Sequence, residues 1–458
     1  MELSTATLMS ISVASLAILV SLLRRKSAPS SKRRRPPGPR CLPFIGSLLH
    51  LLTSEPQVAL RDLAKKHGPV MYLRLGHVDT VVISSPAAAQ EVLRDNSLTF
   101  ASRPSLLVTE ILCYGNTDIA FAPYGAYWRT LRKICMVELL SARKVRQFAP
   151  IRDTEILSLV RNVRAAARGG EPVNLGGLLV SCSNTISAKA TFGEGCDADL
   201  QEQFLSAIGV ALEYSGGFGV GDLFPSLWFV DVVTGVPGAA GGEEVNGDDL
   251  LSVMLRIKDE DGLEFPISTT NIKAIIVDMF TGGTETTSSA AEWIMSELMR
   301  NPEVIAKAQA EVRQTLDNKN PRDQESLIEG LCYTRMVVKE GLRLHPVLPL
   351  LLPRVCRETC DVGGFEAGEF VDSTATDYTG TRYEYLPFGS GRRMCPGGNF
   401  AMATLELTVA RLLYYFDWSL PNGIRPEELD MDMIVGATAR RRNQLHLIAE
   451  PYNVPIDL

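Results

Sequence analysis

The chain is poor in histidine, in paired cysteines and in positive charge, and each shortage argues against one class of function or structure. The five histidines among 458 residues are dispersed, and no two stand at metal-ligand spacing, which argues against a histidine-based metal centre. The formal net charge is -7, so the composition gives no reason to expect a nucleic-acid partner. Nine cysteines show no paired spacing, which indicates reduced thiols in a cytosol-facing protein rather than a disulfide scaffold.

The chain also lacks an internal linker that would divide it into domains. Hydrophobic residues form 45% of the sequence, which is enough for a large core and too much for a disordered protein. Helical periodicity dominates residues 41–458, whereas apolar alternation at 70–75 and 80–84 predicts two strands. We therefore predict one large domain that is mainly α with a small β-rich region near its N-terminus.

The N-terminus predicts a membrane anchor. Residues 1–23 carry no charge after Glu2 and are largely apolar, as a spanning helix requires. Residues 24–40 run from a basic cluster into Pro36-Pro37-Gly38-Pro39, which predicts a stiff hinge. The positive-inside rule places the following body in the cytosol. A cleaved signal peptide is the alternative, but it would carry its positive charge before the apolar run.

The most specific stretch is a glycine- and proline-rich loop from Phe388 to Gly397 that contains Cys395. Glycines such as Gly391 allow positive φ, and a helical pattern follows the loop. Cys395 is therefore predicted at a helix N-terminus, where the dipole and nearby N–H groups stabilise a thiolate. A buried free cysteine and a zinc ligand are alternatives, but zinc needs about four ligands and no other Cys or His lies nearby in sequence.

A second pattern stands in the middle of the longest predicted helix, residues 272–299. It reads Gly282-Gly283-Thr284-Glu285-Thr286-Thr287, and each glycine in a helix centre costs about 1 kcal/mol. Either a neighbour packs closely against the glycines, or the helix widens locally beside a ligand. In the second case Glu285 and Thr286 face the gap.

Taken together, the two patterns identify a family resemblance. The spacing Phe-x-x-Gly-x-Arg-x-Cys-x-Gly from Phe388 to Gly397 resembles the haem-binding loop of the cytochrome P450 superfamily, with every fixed position filled. The glycine-broken helix resembles the family's oxygen-activation motif. The resemblance covers the whole chain and is greatest to plant microsomal members that oxidise terpenoids in grasses. It implies the cytochrome P450 fold behind an N-terminal transmembrane helix.

The resemblance assigns roles to individual residues. It implies haem b as cofactor, with Cys395 as axial ligand of the iron and with Phe388 and Gly397 shaping the loop. It implies that Thr286 binds dioxygen and that Glu285 supplies protons. Four side chains are expected to contact the haem propionates: Arg393, Trp128, Arg132 and Arg354. Finally, Glu340 and Arg343 match a structural Glu-x-x-Arg pair that is buried beneath the haem in the family.

The same resemblance implies a monooxygenase that takes electrons from NADPH through NADPH–cytochrome P450 reductase at the endoplasmic reticulum membrane, as a single-pass protein facing the cytosol. The substrate is expected to be small and hydrophobic, a terpenoid or another specialised metabolite. Its contacts are predicted in residues 106–117, 277–287, 347–352 and 436–438. The reductase is expected to dock on a basic cluster: Arg129, Lys133, Arg143, Lys144 and Arg146.

Two segments depart from the family pattern. A glycine-rich stretch at 235–247 stands where relatives carry a long amphipathic helix, and near 366–372 strands, a short helix and the arginine of a Pro-Glu-Arg-Phe type motif are missing. A truncated member that binds haem or an apolar ligand without turnover is therefore an alternative. Another is a reductase-independent rearrangement or dehydration, which the Glu285–Thr286 relay argues against. A plain zinc or structural protein is the third.

Overall fold

The computed structural model describes residues 35–52, 55–193, 223, 250–259, 266–317, 319–358, 360–363, 365–367, 371–372, 382–436 and 438–452. The predicted anchor at 1–23, most of the hinge at 24–40 and the glycine-rich stretch at 235–247 lie outside these residues. Within the described ranges, no helix is both long and apolar enough to cross a membrane.

Helices make up most of the described chain, as predicted. Numbered in chain order, the α-helices are α1 (Pro56–His67), α2 (Pro86–Gln90), α3 (Leu107–Leu112), α4 (Ala126–Ile134), α5 (Ala142–Gln147), α6 (Ala149–Ala166), α7 (Leu175–Phe192), α8 (Leu250–Asp259), α9 (Thr269–Arg300), α10 (Pro302–Leu316), α11 (Cys332–Leu344) and α12 (Gly398–Tyr415). Two π-helical turns continue α2 and α4: Glu91–Asp95 and Cys135–Leu139. The described residues also contain the 3-10 turns Leu48–Leu51, Pro321–Gly330, Gly391–Arg393, Pro421–Gly423 and Pro426–Glu428.

The strands are short and form four small sheets. They are β1 (Val70–Leu75), β2 (Val78–Ile83), β3 (Val173–Asn174), β4 (Arg354–Val355), β5 (Cys360–Val362), β6 (Phe365–Ala367), β7 (Val371–Asp372), β8 (Phe416–Ser419), β9 (Met433–Val435), β10 (Ala439–Arg441) and β11 (His446–Pro451). The largest sheet has the order β1-β2-β7-β4, and the others are β3-β11-β8, β9-β10 and β5-β6. The β1–β2 hairpin is antiparallel, with Val70 opposite Ile83, and β7 joins β2 in parallel at Thr80. The predicted strand pair is confirmed, although its second strand begins at Val78.

Helix α9 is the central element, and its ends follow from local chemistry. The Ser268 hydroxyl accepts the N–H of Asn271 at 3.2 Å, and the Asn271 side chain accepts the N–H of Ser268, which together form a capping box. Pro302 begins the next helix, so α9 stops at Arg300. The half of α9 after Thr287 is buried on nearly all sides. This burial holds the helix, and with it the Glu285–Thr286 pair, in a defined position.

Helix α12 anchors the cysteine loop. It is buried along nearly its whole length, and burial of a large apolar side chain contributes about 1.5–3 kcal/mol. Its fully buried Arg411 pairs with Asp153 of α6 and donates to Gln324 at 3.1 Å. Because α12 begins three residues after Cys395, its packing fixes the loop in the core.

The segment from Phe100 to Pro123 contains α3. Helix α4 begins at Ala126, directly after the extended Gly125, with φ -167°. It changes to a π-helical turn after Ile134. Residues of α3 and α4 line a large cavity.

Candidate active site

A cavity of about 860 Å³ lies between the middle of α9, the cysteine loop, α3 and the β9–β10 turn. Its wall is mostly apolar, which favours a hydrophobic ligand. All four segments predicted to contact substrate, 106–117, 277–287, 347–352 and 436–438, contribute lining residues. The fold therefore gathers them around one space, and their contact with a substrate stays a prediction.

The cysteine loop forms one wall of this cavity. The Cys395 N–H donates to the carbonyl of Phe388 at 2.9 Å, which closes the loop on itself. Gly391 has φ +67°, and a Cβ there would lie 2.2 Å from the carbonyl oxygen of Leu93, so only glycine fits. Gly397 has an ordinary φ of -88°, and a Cβ built on it would lie 3.9 Å from Cys395 Sγ. The thiol itself faces the cavity.

The surroundings of Cys395 act on the pKa of its thiol in opposite directions, with a net rise. Burial raises its pKa, while the N–H groups of Gly397 and Gly398 and the charge of Arg132 lower it. Gly398 begins α12, so the predicted helix N-terminus is present. A bound metal cation deprotonates a coordinating thiol, and the thiolate would then meet two N–H donors and a guanidinium.

Arg393 lies behind the loop and is almost fully buried. It donates to the carbonyls of Ala101 at 2.7 Å and of Ile119 at 3.2 Å. Its guanidinium carbon stands 4.2 Å from the centre of the Trp128 ring, and the indole N–H of Trp128 donates to Ile119 at 2.9 Å. The two sequence motifs are thus packed face to face.

Two more arginines complete a buried basic group. Arg354 donates to the carbonyls of Phe100 and Ser390, both at 3.2 Å. Arg103, which was not predicted as a site residue, donates to Leu352 at 2.6 Å and to Ala120 at 3.0 Å. The only sequence signal for Arg103 is that a charged residue stands in a segment that covers an apolar cavity.

The four guanidinium groups of Arg103, Arg132, Arg354 and Arg393 all line the cavity. Burial and repulsion from Arg354 lower the pKa of Arg103, and the same causes lower the pKa of Arg393 to about 9. Burial also lowers the pKa of Arg132, which forms no ion pair with any residue the structure describes. This excess of buried positive charge fits an anionic ligand. A flat metal cofactor with carboxylates on its edge would satisfy both the arginines and Cys395.

The centre of α9 lies on the opposite side of the cavity. Gly283 packs closely, because a Cβ there would lie 2.6 Å from the hydroxyl of Ser187, whereas Gly282 is open. The helix is assigned as one continuous α-helix through this region. Close packing against Ser187 explains Gly283, and the open cavity wall explains Gly282. The hydroxyl of Thr286 donates to the carbonyl of Gly282 at 2.5 Å, and Thr286 and Glu285 both line the cavity.

Glu285 is held by the hairpin after α12. The Thr438 hydroxyl donates to Glu285 Oε1 at 2.8 Å, and the same oxygen lies 3.8 Å from a guanidinium nitrogen of Arg440. The other oxygen, Oε2, is buried and has no hydrogen-bond partner among the described residues. No local pattern indicates this pairing, because the partners are 153 residues apart in the sequence.

A pair of carboxyl groups that the sequence reading missed links α9 to the roof of the cavity. Asp278 Oδ2 accepts the N–H groups of Ile119 at 2.8 Å and Ala120 at 3.1 Å, and fully buried Asp118 lies beside it with Cys113. Burial and repulsion from Asp118 raise the pKa of Asp278 well above its usual value. An acid in the apolar run Val277-Asp278-Met279 was the available sequence signal.

Glu340 and Arg343 do form a pair, with Arg343 donating at 2.7 and 2.8 Å. The burial that the family shows for this pair is not found here, since the side chains of Glu340 and Arg343 are 54% and 53% exposed. No third arginine is bound to them within the described ranges, and exposed Met336 and Leu344 share the helix. The pair is a solvated surface pair, because no described segment covers this face of α11.

The basic cluster predicted for docking lies at the surface. Arg129, Lys133, Arg143 and Arg146 are exposed and Lys144 is half-buried. Met136 and Val137, which lie in the turn between them, are exposed apolar side chains. A charged surface with an apolar centre has the composition of a transient protein-binding site.

Comparison with known proteins supports one family. The family model described as cytochrome P450 matches residues 36–232, 243–369 and 364–446. The chain is 60% identical to 9-beta-pimara-7,15-diene oxidase of Oryza sativa subsp. japonica over 499 aligned positions, which cover 99% of each chain. It is 43% identical to premnaspirodiene oxygenase of Hyoscyamus muticus, over 95% of this chain and 97% of that one.

The fold has a solved counterpart as well. A structure of a zebra fish cytochrome P450 with abiraterone matches with a TM-score of 0.71 at 21% identity, over 88% of this chain and 100% of that one. At this identity the match concerns the fold alone. The helices and small sheets described above therefore have the arrangement of a cytochrome P450.

Proposed function

The chain belongs to the cytochrome P450 family, and on that premise we propose that it inserts one oxygen atom from O2 into a terpenoid hydrocarbon, with electrons from NADPH delivered by a reductase. The observation that carries the proposal is the position of Cys395. Its thiol faces an apolar cavity, with two N–H donors behind it and Arg132 nearby.

These residues fit haem. Cys395 would ligate the iron, and the carboxylates of the porphyrin would meet the buried basic group of Arg103, Arg132, Arg354 and Arg393. Haem with a thiolate ligand supplies the chemistry of oxygen activation when bound.

The chain's own residues then have three tasks. The apolar wall excludes water and holds a hydrophobic substrate. The Thr286 hydroxyl donates to Gly282, so its lone pairs remain able to accept a hydrogen bond from a neighbour or from a polar group in the cavity. Glu285 stands one residue before it on the same wall and is the acid that supplies protons. Such assistance is typically worth about 10²–10⁴ in rate.

The names of relatives support the substrate class. The rice relative is called a pimaradiene oxidase, the Hyoscyamus muticus relative a premnaspirodiene oxygenase, and a Nicotiana tabacum relative, 39% identical, a 5-epiaristolochene 1,3-dihydroxylase. All three names describe oxidation of a terpenoid. The 60% identity makes a diterpene hydrocarbon the first candidate here.

We also propose that residues 1–23 anchor the protein in the endoplasmic reticulum membrane, that 24–40 form the hinge, and that the body faces the cytosol. The uncharged run and the basic residues after it support this. The exposed cluster around Lys133 and Arg143 is the proposed docking surface for the reductase.

A weakly active, shortened enzyme is the second candidate, and specific observations favour it. The alignment with the rice relative spans 499 positions, more than the 458 residues of this chain, so that relative has residues without counterpart here. The family match also omits 233–242 and overlaps itself at 364–369, near both segments that we propose are shortened.

The test is turnover in a reconstituted membrane. The full chain is expressed with a plant cytochrome P450 reductase, loaded with haem, and given NADPH, isotopically labelled O2 and a panel of diterpene and sesquiterpene hydrocarbons. We expect an NADPH-dependent product that carries one labelled oxygen. A haem-loaded protein that gives no labelled product with any terpenoid would contradict the function. A second chain with both segments restored is the control: if it forms product and the present chain does not, the shortening has removed activity, and if neither does, the substrate class is wrong.

A further inference from the structure

The hairpin formed by β9 and β10 reaches across the cavity to α9. The N–H of Ala439 donates to the carbonyl of Val347 at 2.8 Å, and the carbonyl of Ala439 accepts the indole N–H of Trp293 at 3.1 Å. Residue 439 is thus fixed on both sides by buried partners. Thr438, the residue before it, is therefore held at a defined place against α9.

The turn of this hairpin also lines the substrate space. Val435, Gly436 and Thr438 all face the cavity, and the N–H of Gly436 donates to the carbonyl of Thr438 at 3.0 Å to close the turn. A ligand in the cavity that contacts this turn therefore presses on the residue whose hydroxyl binds Glu285.

The two oxygens of the Glu285 carboxyl group are not equivalent. Oε1 accepts the Thr438 hydroxyl at 2.8 Å and faces the half-exposed guanidinium of Arg440 at 3.8 Å. Oε2 is buried and has no hydrogen-bond partner among the described residues. Since Oε1 accepts the Thr438 hydroxyl and faces the positive charge of Arg440, a proton on this carboxyl group belongs on Oε2.

We propose that Thr438 is the positioning residue of Glu285, so that one turn both contacts the substrate and orients the acid. The hydroxyl holds Oε1 and leaves Oε2 as the oxygen that delivers the proton. A substrate that seats well against Gly436 keeps the turn and the carboxyl group in place, and a poorly seated one disturbs both. The inference rests on the proposed role of Glu285 as proton donor.

The experiment compares four variants of the full-length, haem-loaded protein with reductase: Thr438→Val, Thr438→Ser, Glu285→Gln and the double variant Thr438→Val/Glu285→Gln. Valine has the shape of threonine without the donor, and serine keeps the donor. A matched control is Thr408→Val, which removes a buried helix hydroxyl that binds only the carbonyl of Thr404, away from the cavity. Product per NADPH, peroxide per NADPH and the substrate-binding constant are measured for each.

Thr438→Val removes the one hydrogen bond that orients the carboxyl group, so we expect it to lower product per NADPH by several-fold to about tenfold. Peroxide per NADPH should rise by the number of moles of product lost. The substrate-binding constant and the haem content should stay at the wild-type level. Thr438→Ser should restore coupling, and the double variant should lose no more than Glu285→Gln alone, because both changes act on one group.

Three outcomes would overturn the inference. Weaker substrate binding by Thr438→Val with unchanged product per NADPH would make Thr438 a substrate contact only. Additive losses of product per NADPH in the double variant would mean that Thr438 and Glu285 act in separate steps. Normal coupling in Thr438→Val together with uncoupling in Glu285→Gln would reject the inference alone. Normal coupling in Glu285→Gln would instead reject the proposed function of that acid.

Discussion

The guanidinium carbon of Arg393 lies 4.2 Å from the centre of the Trp128 ring, which joins two motifs that are far apart in the sequence. Both side chains also bind the carbonyl of Ile119. The stack removes both groups from solvent and adds a cation–π contact worth about 2 kcal/mol where it is desolvated. Arg393 and Trp128 therefore form a rigid support behind the cysteine loop, and Arg393 shares the proposed contact with the anionic part of the cofactor with the other arginines of the buried basic group.

Arg132 is the arginine most available for such a contact. Arg132→Gln removes a half-buried guanidinium that has no ion-pair partner among the described residues, so we expect haem to dissociate about tenfold to a hundredfold faster, as for loss of a hydrogen bond to a charged group. The control is Arg129→Gln, three residues away on the same helix but exposed. Haem transfer to apomyoglobin measures the rate, and equal rates for both variants would remove Arg132 from the cofactor site.

Thr286→Ala tests the proton relay. The variant should keep haem and bind substrate as the wild type does, because the side chain is small and its hydroxyl binds only within its own helix. We expect product formation to fall by about 10²–10⁴ in rate while NADPH consumption continues and yields peroxide. The neighbouring Thr284→Ala removes a buried hydroxyl that has no hydrogen-bond partner among the residues the structure describes and should remain coupled. Wild-type product per NADPH in Thr286→Ala would rule out the relay.

The Asp278–Asp118 pair predicts a pH dependence of stability. The folded-state pKa of Asp278 is raised, mainly by burial and by Asp118, so the folded protein holds a proton that the unfolded chain releases near pH 4. Stability from this group is therefore greatest below that pH and falls as pH rises towards the folded-state pKa. Asp278→Asn, which cannot ionise, should become more stable relative to the wild type as pH increases.

Urea unfolding of the two proteins between pH 4 and 8 measures this difference. The groups that face Asp278 are Asp118, Cys113 and Cys135, and none of them is changed in the variant. An exposed carboxylate, Asp361→Asn, is the control and should run parallel to the wild type. Parallel curves for Asp278→Asn would show that the buried carboxyl group does not hold a proton.

The surface cluster predicts an electrostatic rate of reduction. Charge reversal at Lys133 and Arg143 should slow electron transfer from the reductase, and added salt should slow the wild type, because long-range attraction is screened over about 10 Å at 0.1 M. Lys319→Glu makes a single charge reversal of the same kind at an exposed lysine in a turn after α10 and should leave the rate unchanged. Stopped-flow reduction under CO measures the rate. A wild-type rate that does not respond to salt would argue against docking here.

The exposed Glu340–Arg343 pair predicts a small energetic effect. Glu340→Gln should reduce the free energy of unfolding by less than about 1 kcal/mol, as for other exposed pairs. Asp153→Asn, which breaks the buried pair with Arg411, should cost about 3–5 kcal/mol. Chemical unfolding of both variants provides the comparison. A large loss for Glu340→Gln would mean that the pair is covered in solution and that the shortened segment still protects it.

The sequence predicted the site best where its residues are close together along the chain. The loop from Phe388 to Gly397 carries its spacing, its glycine and its helix N-terminus within ten positions, so local pattern was sufficient. Thr438 with Glu285 and Asp278 with Ile119 are separated by 153 and 159 residues. Nothing local tells which buried acid meets which hydroxyl or N–H group, since that pairing is made by packing.

The exposure of Glu340 and Arg343 has a related reason. Their i, i+3 spacing places them side by side on one helix, but burial depends on what covers the helix. In this structure Met336 and the pair are exposed to solvent.

The most direct test of the central claim is the absorption spectrum of the reduced, CO-bound protein, compared between the wild type and Cys395→Ser. The account predicts a red-shifted thiolate band in the wild type and its loss in the variant. The control is Cys135→Ser, which changes a buried cysteine in the π-helical turn after α4 and should keep the band. A red-shifted band that survives in Cys395→Ser would contradict the assignment of Cys395 as the ligand.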